Sequence, residues 1–177
     1  MRIYLIGYMY CGKTTIGRRL ANELGYPFVD LDQQFEAHYH TTIPIFFHKY
    51  GEEAFRKLEQ LMLHNTSQLN NAVISTGGGT PCHFDNIDWI NRHGISIYLN
   101  VTLDILLQRA SNSKKQRPIL ANKSPEERQA FIQQQLQQRL PYYTQAHITI
   151  PADTPDISAL CTALQLPLSD TLHTLRQ

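Results

Sequence analysis

The sequence has no long apolar run. Its uninterrupted apolar stretches are only a few residues long, whereas a membrane-spanning helix needs roughly 18 or more. The apolar segment that begins at Arg2 and ends at Gly7 is also too short for the hydrophobic region of a signal peptide. We therefore expect a cytoplasmic protein with no membrane partner.

Cysteine is scarce, and neither sign of charge dominates. Cys11, Cys82 and Cys161 are an odd number without the spacing of a metal site, which is typical of reduced thiols in a cytoplasm. The formal net charge is only +1, so no overall field attracts nucleic acid or an anionic membrane. We expect no nucleic-acid partner, and any bound anion has to be held by a local cluster of positive groups.

Short apolar segments alternate with helical patterns along the 177 residues. This alternation predicts one α/β domain over residues 1–177, with a five-stranded parallel sheet and helices on both faces. A polar stretch, residues 111–117, predicts a mobile loop. The predicted strands are residues 3–6, 27–29, 72–75, 95–99 and 148–150, and the clearest helices are 14–24, 33–40 and 52–69.

A phosphate-binding pattern lies between the first predicted strand and helix. Residues 7–14 read GYMYCGKT, which fits G-x-x-x-x-G-K-[ST] in the context that this motif requires. Gly7 and Gly12 allow the backbone N–H groups to converge on phosphate oxygens. Lys13 can reach the β- and γ-phosphates, and the Thr14 hydroxyl can bind Mg²⁺. A glycine-rich turn with an incidental lysine is the alternative, but pattern and context agree on a P-loop.

Two aspartates follow the second predicted strand. Asp30 and Asp32 stand at the sheet edge where ligands bind in such folds. In an extended segment they would face the same side, so that one could hold the hydrated metal and the other accept a proton from an attacking hydroxyl. The alternative is a structural role for Asp32 as a helix N-cap.

The third predicted strand ends in three glycines instead of the carboxylate that many ATPases place there. Gly77, Gly78 and Gly79 present backbone without bulk, which suits a ligand lying against the main chain. The missing carboxylate weakens the case for a simple ATPase that drives a partner protein.

Arginines supply the remaining positive charge. Arg56 and Glu59 are three residues apart on a predicted helix, where the glutamate can fix the guanidinium; an exposed surface pair is the alternative. Arg139 lies just before Pro141, which we expect to end its helix. Arg117, in the predicted loop, could close over the phosphates.

Together these motifs resemble the shikimate kinase family, in its order and approximate spacing from residue 1 to about 150. The resemblance implies a P-loop kinase three-layer sandwich with a lid at about 111–123 and a substrate-binding segment at about 32–60. It also implies transfer of phosphate from MgATP to the 3-hydroxyl of shikimate, in the pathway to aromatic amino acids. The motifs are residues 7–14, 30–32 (DLD), 55–59 (FRKLE), 75–79 (STGGG), 117–120 (RPIL) and 139–143 (RLPYY).

The resemblance also implies roles for individual residues. Catalysis is expected of Lys13, Asp32 and Arg117, and Mg²⁺ binding of Thr14 and Asp30. ATP is expected to contact Gly7, Cys11, Gly12, Lys13, Thr14, Thr15, Arg109 and Arg117, with Arg109 on the adenine. Shikimate is expected to contact Asp32, Arg56, Glu59, Gly77, Gly78, Gly79 and Arg139. We expect ATP and shikimate as the only partners of a monomer.

Two positions, Tyr10 and Cys11, depart from the family pattern, and Cys11 stands where the family usually has a small residue. Tyr10 stands where the family usually has glycine, and tyrosine adopts a positive φ only at a cost, so we expect a locally altered P-loop or weaker nucleotide binding. Three other functions stay open: a related kinase for another small hydroxy acid such as gluconate, a catalytically inactive nucleotide-binding regulatory domain, and an ATPase switch. Arg56, Arg139 and the three glycines favour a compact ring carboxylate over gluconate.

Overall fold

The structure, a computed structural model, describes residues 1–113 and 123–164. Arg117 and most of the predicted lid at 111–123 lie outside the described residues. Two of the residues assigned to that lid, Ser111 and Asn112, instead form the end of a helix.

Five parallel strands form one sheet, as predicted. The strands are β1 (Arg2–Ile6), β2 (Phe28–Asp30), β3 (Ala72–Ser75), β4 (Ile95–Asn100) and β5 (Ile148–Pro151), arranged in the order β2-β3-β1-β4-β5. In the centre, Ile3 is aligned with Val73 on one side and with Ile95 on the other. Almost every residue of β1, β3 and β4 is buried, because helices cover both faces of a parallel sheet.

Seven α-helices accompany the sheet in the described part of the chain and complete a three-layer α/β sandwich. They are α1 (Lys13–Leu24), α2 (Leu31–Tyr39), α3 (Ile43–Asn65), α4 (Asn86–His93), α5 (Leu103–Asn112), α6 (Pro125–Tyr143) and α7 (Ile157–Leu164). None of these helices is both long enough and apolar enough to cross a membrane.

One helical segment was not predicted, and one predicted helix end is wrong. The backbone of α3 is interrupted at Gly51 (φ 82°), so the helix predicted from Glu52 is the second half of α3; the first half, which begins at Ile43 with Thr42 as its N-cap, was not predicted. Pro141 does not end α6, which continues to Tyr143. The fully buried Tyr143 ring, whose hydroxyl donates to the Gly78 carbonyl at 2.6 Å, provides packing that keeps the last turn helical beyond the proline.

The strand order brings three predicted site segments together. The P-loop follows β1, the triple glycine follows β3, and Asp30 ends β2, and these three strands are neighbours in the sheet. Because the carboxyl ends of parallel strands meet at one edge, the loops that follow them face a common crevice.

Candidate active site

A cleft of about 1620 Å³ opens at this edge of the sheet. Gly7 and Cys11 are not part of its wall, and Cys11 is buried. All the other predicted site residues that the structure describes line it: Gly12, Lys13, Thr14, Thr15, Asp30, Asp32, Arg56, Glu59, Gly77, Gly78, Gly79, Arg109 and Arg139.

The P-loop backbone takes left-handed conformations at three positions. Gly7 (φ 141°) and Gly12 (φ 102°) do so without strain because they have no Cβ. Tyr10 (φ 65°) does so although it has a Cβ. A left-handed conformation costs a residue with a Cβ roughly 1–2 kcal/mol. Tyr10 thus adopts a positive φ at the expense of local strain.

Lys13 is folded back onto the loop that it follows. Its Nζ donates to the carbonyl oxygens of Gly7 at 2.7 Å and Tyr8 at 3.0 Å, and the side chain is almost fully buried. The ammonium therefore lies inside the loop, beside the positive end of α1, where an anionic phosphate is favoured.

Arg109 ties the P-loop to the segment that follows the edge strand β5. Its Nη1 donates to the carbonyl oxygens of Tyr10 at 3.3 Å and Cys11 at 3.1 Å. Its Nη2 donates to the carbonyl oxygen of Ala152, just beyond β5, at 3.1 Å. The sequence did not indicate this contact, since it joins segments about 100 residues apart. The adenine contact implied by the resemblance stays a prediction.

Thr14 and Asp30 form a pair of hard oxygen donors. The Thr14 hydroxyl donates to Asp30 Oδ2 at 2.8 Å, while Asp30 Oδ1 accepts from the Gln33 amide at 3.2 Å and caps α2. Hydroxyl and carboxylate oxygens at the start of a phosphate-binding helix are suitable for Mg²⁺. Asp32 lies in the first turn of α2, so the prediction of an extended segment through both aspartates is wrong; the helix starts at Leu31 because Asp30, not Asp32, is its cap.

Arg56 and Glu59 form a buried pair. Arg56 Nη1 donates to Glu59 Oε2 at 3.0 Å, with only 12% and 6% of the two side chains exposed, so they are not the solvated surface pair. The other oxygen, Oε1, accepts from the Thr80 hydroxyl at 2.6 Å. Burial raises the pKa of Glu59 and the charge of Asp32 adds to this, whereas Arg56 and the Thr80 hydrogen bond act in the opposite direction.

The triple glycine makes room for charged side chains. A Cβ on Gly77 would lie 2.5 Å from Glu59 Oε1, and one on Gly79 would lie 2.9 Å from the Arg56 guanidinium nitrogens. A Cβ on Gly78 would approach the Met9 amide nitrogen at 3.3 Å and the Arg139 guanidinium at 3.5 Å. Space therefore requires glycine at positions 77 and 79, whereas a Cβ on Gly78 would be tight only against the Met9 backbone.

Arg139 faces the same cleft from α6. Its Nη2 donates to Gln135 Oε1 at 2.8 Å, and its guanidinium lies 5.3 Å from the centre of the Tyr8 ring. Burial raises the pKa of Tyr8 to about 12 against the opposing effect of Arg139, so Tyr8 stays neutral and supports the arginine with its ring face.

A phosphate loop with its lysine, an adjacent pair of metal-compatible oxygens and two arginines in the same cleft define a P-loop kinase of small molecules. The shikimate kinase family model matches residues 9–165. A shikimate kinase from Bacteroides thetaiotaomicron is 47% identical over 86% of this chain and 87% of its own length. The chain belongs to the shikimate kinase family.

Solved structures agree with this assignment. The crystal structure of shikimate kinase from Bacteroides thetaiotaomicron matches with a TM-score of 0.88 and 44% identity, covering 93% of this chain and 96% of its own. Shikimate kinase from Acinetobacter baumannii in complex with shikimate matches with a TM-score of 0.81 and 37% identity, over 96% and 93% of the two chains. A gluconokinase from Sinorhizobium meliloti 1021, at 13% identity and a TM-score of 0.56, shares the fold alone.

Proposed function

We propose that this enzyme transfers the γ-phosphoryl group of ATP to the 3-hydroxyl of shikimate, giving shikimate 3-phosphate and ADP for aromatic amino-acid biosynthesis. The observation that carries the proposal is the buried Arg56–Glu59 pair in the same cleft as the P-loop, in a chain of the shikimate kinase family. A buried, oriented guanidinium is suited to a carboxylate, which shikimate has on its ring.

The phosphates of ATP bind in the P-loop. Backbone amides of the loop from Gly7 to Thr15 surround the β-phosphate; the Cys11 amide donates to the Tyr8 carbonyl at 3.3 Å in the free protein and turns to the phosphate when ATP binds. Lys13 leaves the carbonyls of Gly7 and Tyr8 for the phosphate oxygens, where its charge offsets the charge that develops on the transferring group. Arg109 contacts the adenine, and Arg117, which lies outside the described residues, supplies positive charge for the γ-phosphate.

Thr14 and Asp30 hold Mg²⁺. Thr14 binds the ion through its hydroxyl, and Asp30 orients that hydroxyl and the water around the ion, since its Oδ2 already accepts from Thr14. Bound there, Mg²⁺ would neutralise part of the charge of the ATP phosphates.

Shikimate binds on the other side of the cleft. Arg56 and Arg139 hold the carboxylate, Glu59 orients Arg56, and Gly77 to Gly79 allow the ring to lie against the backbone. Asp32 accepts a hydrogen bond from the 3-hydroxyl, orients it towards the γ-phosphorus and takes up its proton as the new bond forms. We also assign the enzyme to the cytoplasm, as a single-domain monomer with residues 32–60 as its substrate-binding segment.

ADP release from MgATP, measured in a coupled assay on the purified chain with and without shikimate, tests the proposal. We expect a low background rate that rises strongly when shikimate is added and not when gluconate is added. Stimulation by gluconate instead would leave the P-loop assignment intact and contradict the acceptor. ATP binding with no stimulation by either would favour the regulatory domain.

A further inference from the structure

Glu52 occupies one edge of the Arg56 guanidinium. Its Oε1 accepts from Arg56 Nη2 at 2.8 Å and from Nε at 3.1 Å. The remaining nitrogen, Nη1, donates to Glu59 at 3.0 Å. Arg56 is therefore paired with two carboxylates in the free protein, and one of them covers the Nε–Nη2 edge, a pair of donors that fits a carboxylate.

The two glutamates differ in their freedom to move. Glu59 has 6% of its side chain exposed and is fixed at its second oxygen by Thr80. Glu52 has 58% exposed, so its carboxylate can turn into water without leaving a buried charge unpaired. Glu59 is thus the permanent partner of Arg56, and Glu52 is the partner that can be displaced.

Charge opposes an additional carboxylate while Glu52 stays in place. One guanidinium between two carboxylates is already more than neutralised, and a third carboxylate would be repelled at short range. We propose that Glu52 is an internal competitor of the acceptor's carboxylate: it covers Arg56 in the free enzyme and is displaced when the substrate binds. This inference rests on the proposed function, because it takes Arg56 as the carboxylate-binding residue.

The competition makes Glu52 a specificity-determining residue. An acceptor with a carboxylate replaces the ionic partner that Arg56 loses, so the displacement is largely compensated. A neutral ring ligand offers no such replacement and leaves Arg56 paired with Glu52. Because only a carboxylate has to displace Glu52 from Arg56, Glu52 lowers the affinity for charged acceptors more than the affinity for neutral ones.

The next residue provides a matched control. The backbone break at Gly51 makes Glu52 and Glu53 the first residues of the second half of α3, where both benefit from the helix dipole. Glu53 pairs with Lys57 at 2.7 Å with the same i,i+4 spacing as Glu52 and Arg56. Glu53 is 81% exposed and is not part of the cleft wall, so Glu53→Gln removes the same charge without touching Arg56.

The test compares wild type, Glu52→Gln and Glu53→Gln by calorimetric binding of shikimate and by steady-state kinetics. Exposed ion pairs are worth up to about 1 kcal/mol, so Glu52→Gln should lower the Kd and KM for shikimate by about two- to fivefold. The kcat should stay within about twofold, because displaced Glu52 does not touch the reacting groups. Glu53→Gln should match wild type, and thermal unfolding checks that all three proteins are folded.

Binding of the carboxamide of shikimate, which keeps the ring and hydroxyls but has no charge, is measured for the same variants. It distinguishes competition for Arg56 from a general opening of the pocket. Glu52→Gln should improve shikimate binding more than carboxamide binding. An equal gain for both ligands, or weaker shikimate binding in Glu52→Gln while wild type is active, would overturn the inference alone. A wild-type enzyme that neither binds nor phosphorylates shikimate would overturn the proposed function, and the inference with it.

Discussion

The Glu59 carboxylate occupies the space that a side chain on residue 77 would need: a Cβ on Gly77 would lie 2.5 Å from Glu59 Oε1 and 2.8 Å from the Thr80 hydroxyl oxygen. Glu59 is held by Arg56 and Thr80 and cannot yield without moving Arg56. We expect Gly77→Ala to raise the KM for shikimate by about 10- to 100-fold, since misplacing a binding group by about 1 Å has effects of that size. The KM for ATP should change much less.

Gly25→Ala is the control for this prediction. Gly25 has φ 66° and open space around its Cβ position, so alanine there strains the backbone and lowers stability without touching the site. It should leave both KM values unchanged. If the KM for shikimate rose equally in Gly25→Ala, the effect of Gly77→Ala would come from lost stability and not from a clash with Glu59.

Much of the fold could be predicted because its signals are local. The third strand has the predicted bounds, Ala72–Ser75, since a short apolar run ends there in glycines. The first half of α3 was missed. Its Phe46 packs with Phe35 and Phe55 in a small separate cluster, while its Ile45 is exposed, so its apolar residues do not follow the periodicity of a helix on the main core.

The site could be predicted where one motif contains it, and not where distant segments meet. Residues 7–14 form a contiguous P-loop. The Thr80 hydroxyl, in contrast, meets Glu59 across 21 residues of sequence, and no spacing rule indicates that contact. The contact of Glu52 with Arg56 has ordinary helical spacing, which is equally typical of a solvated surface pair; only the burial of Arg56 distinguishes the two.

Asp32→Asn should lose most of its turnover and still bind ATP. The amide keeps the size of the side chain but cannot take up a proton, and removing a general base typically lowers the rate by about 10²- to 10⁴-fold. The assay is the shikimate-dependent kcat together with a separate measurement of ATP binding. An unchanged kcat would remove Asp32 from the mechanism, and equal losses of ATP binding would indicate a damaged fold.

Asp30→Asn should separate metal binding from helix capping. Asparagine is as good an N-cap as aspartate, so α2 should keep its start and the protein its stability. The charge next to Thr14 disappears, and such outer partners of a metal site typically contribute about 10- to 100-fold to affinity or activity. We expect kcat/KM for MgATP to fall by that amount and to recover in part at high Mg²⁺. Full activity at low Mg²⁺ would contradict the metal role.

Two substitutions of Tyr10 should reveal its backbone strain. Both Tyr10→Ala and Tyr10→Gly remove the ring, so they differ only in the Cβ at φ 65°. Alanine is usually the more stable residue, by roughly 0.5–1 kcal/mol, within regular structure. Here we expect the order to reverse, with Tyr10→Gly more stable by about 1 kcal/mol in urea unfolding. A more stable alanine variant would mean that the loop has relaxed from the left-handed conformation.

The buried Glu59 should make stability fall as the pH rises above the ordinary glutamate pKa of 4.5. Burial raises the pKa of Glu59 in the folded state, so the folded protein binds this proton more tightly than the unfolded chain does. The stabilisation is complete below 4.5 and is lost as the pH rises through the raised pKa. Glu59→Gln keeps acceptor and size but does not titrate, so its free energy of unfolding should improve relative to wild type across that window.

The contribution of Glu53 to stability should depend on pH in the opposite direction. The hydrogen bond and charge of Lys57 lower the pKa of the exposed Glu53, so its contribution is present above pH 4.5 and is lost as the pH falls through the lowered value. Relative to wild type, Glu53→Gln should therefore lose stability as the pH rises towards 4.5, whereas Glu59→Gln gains above it. Urea unfolding at a series of pH values measures both differences. If Glu59→Gln instead lost stability relative to wild type as the pH rose, the attraction of Arg56 would outweigh burial and Glu59 would be ionised throughout.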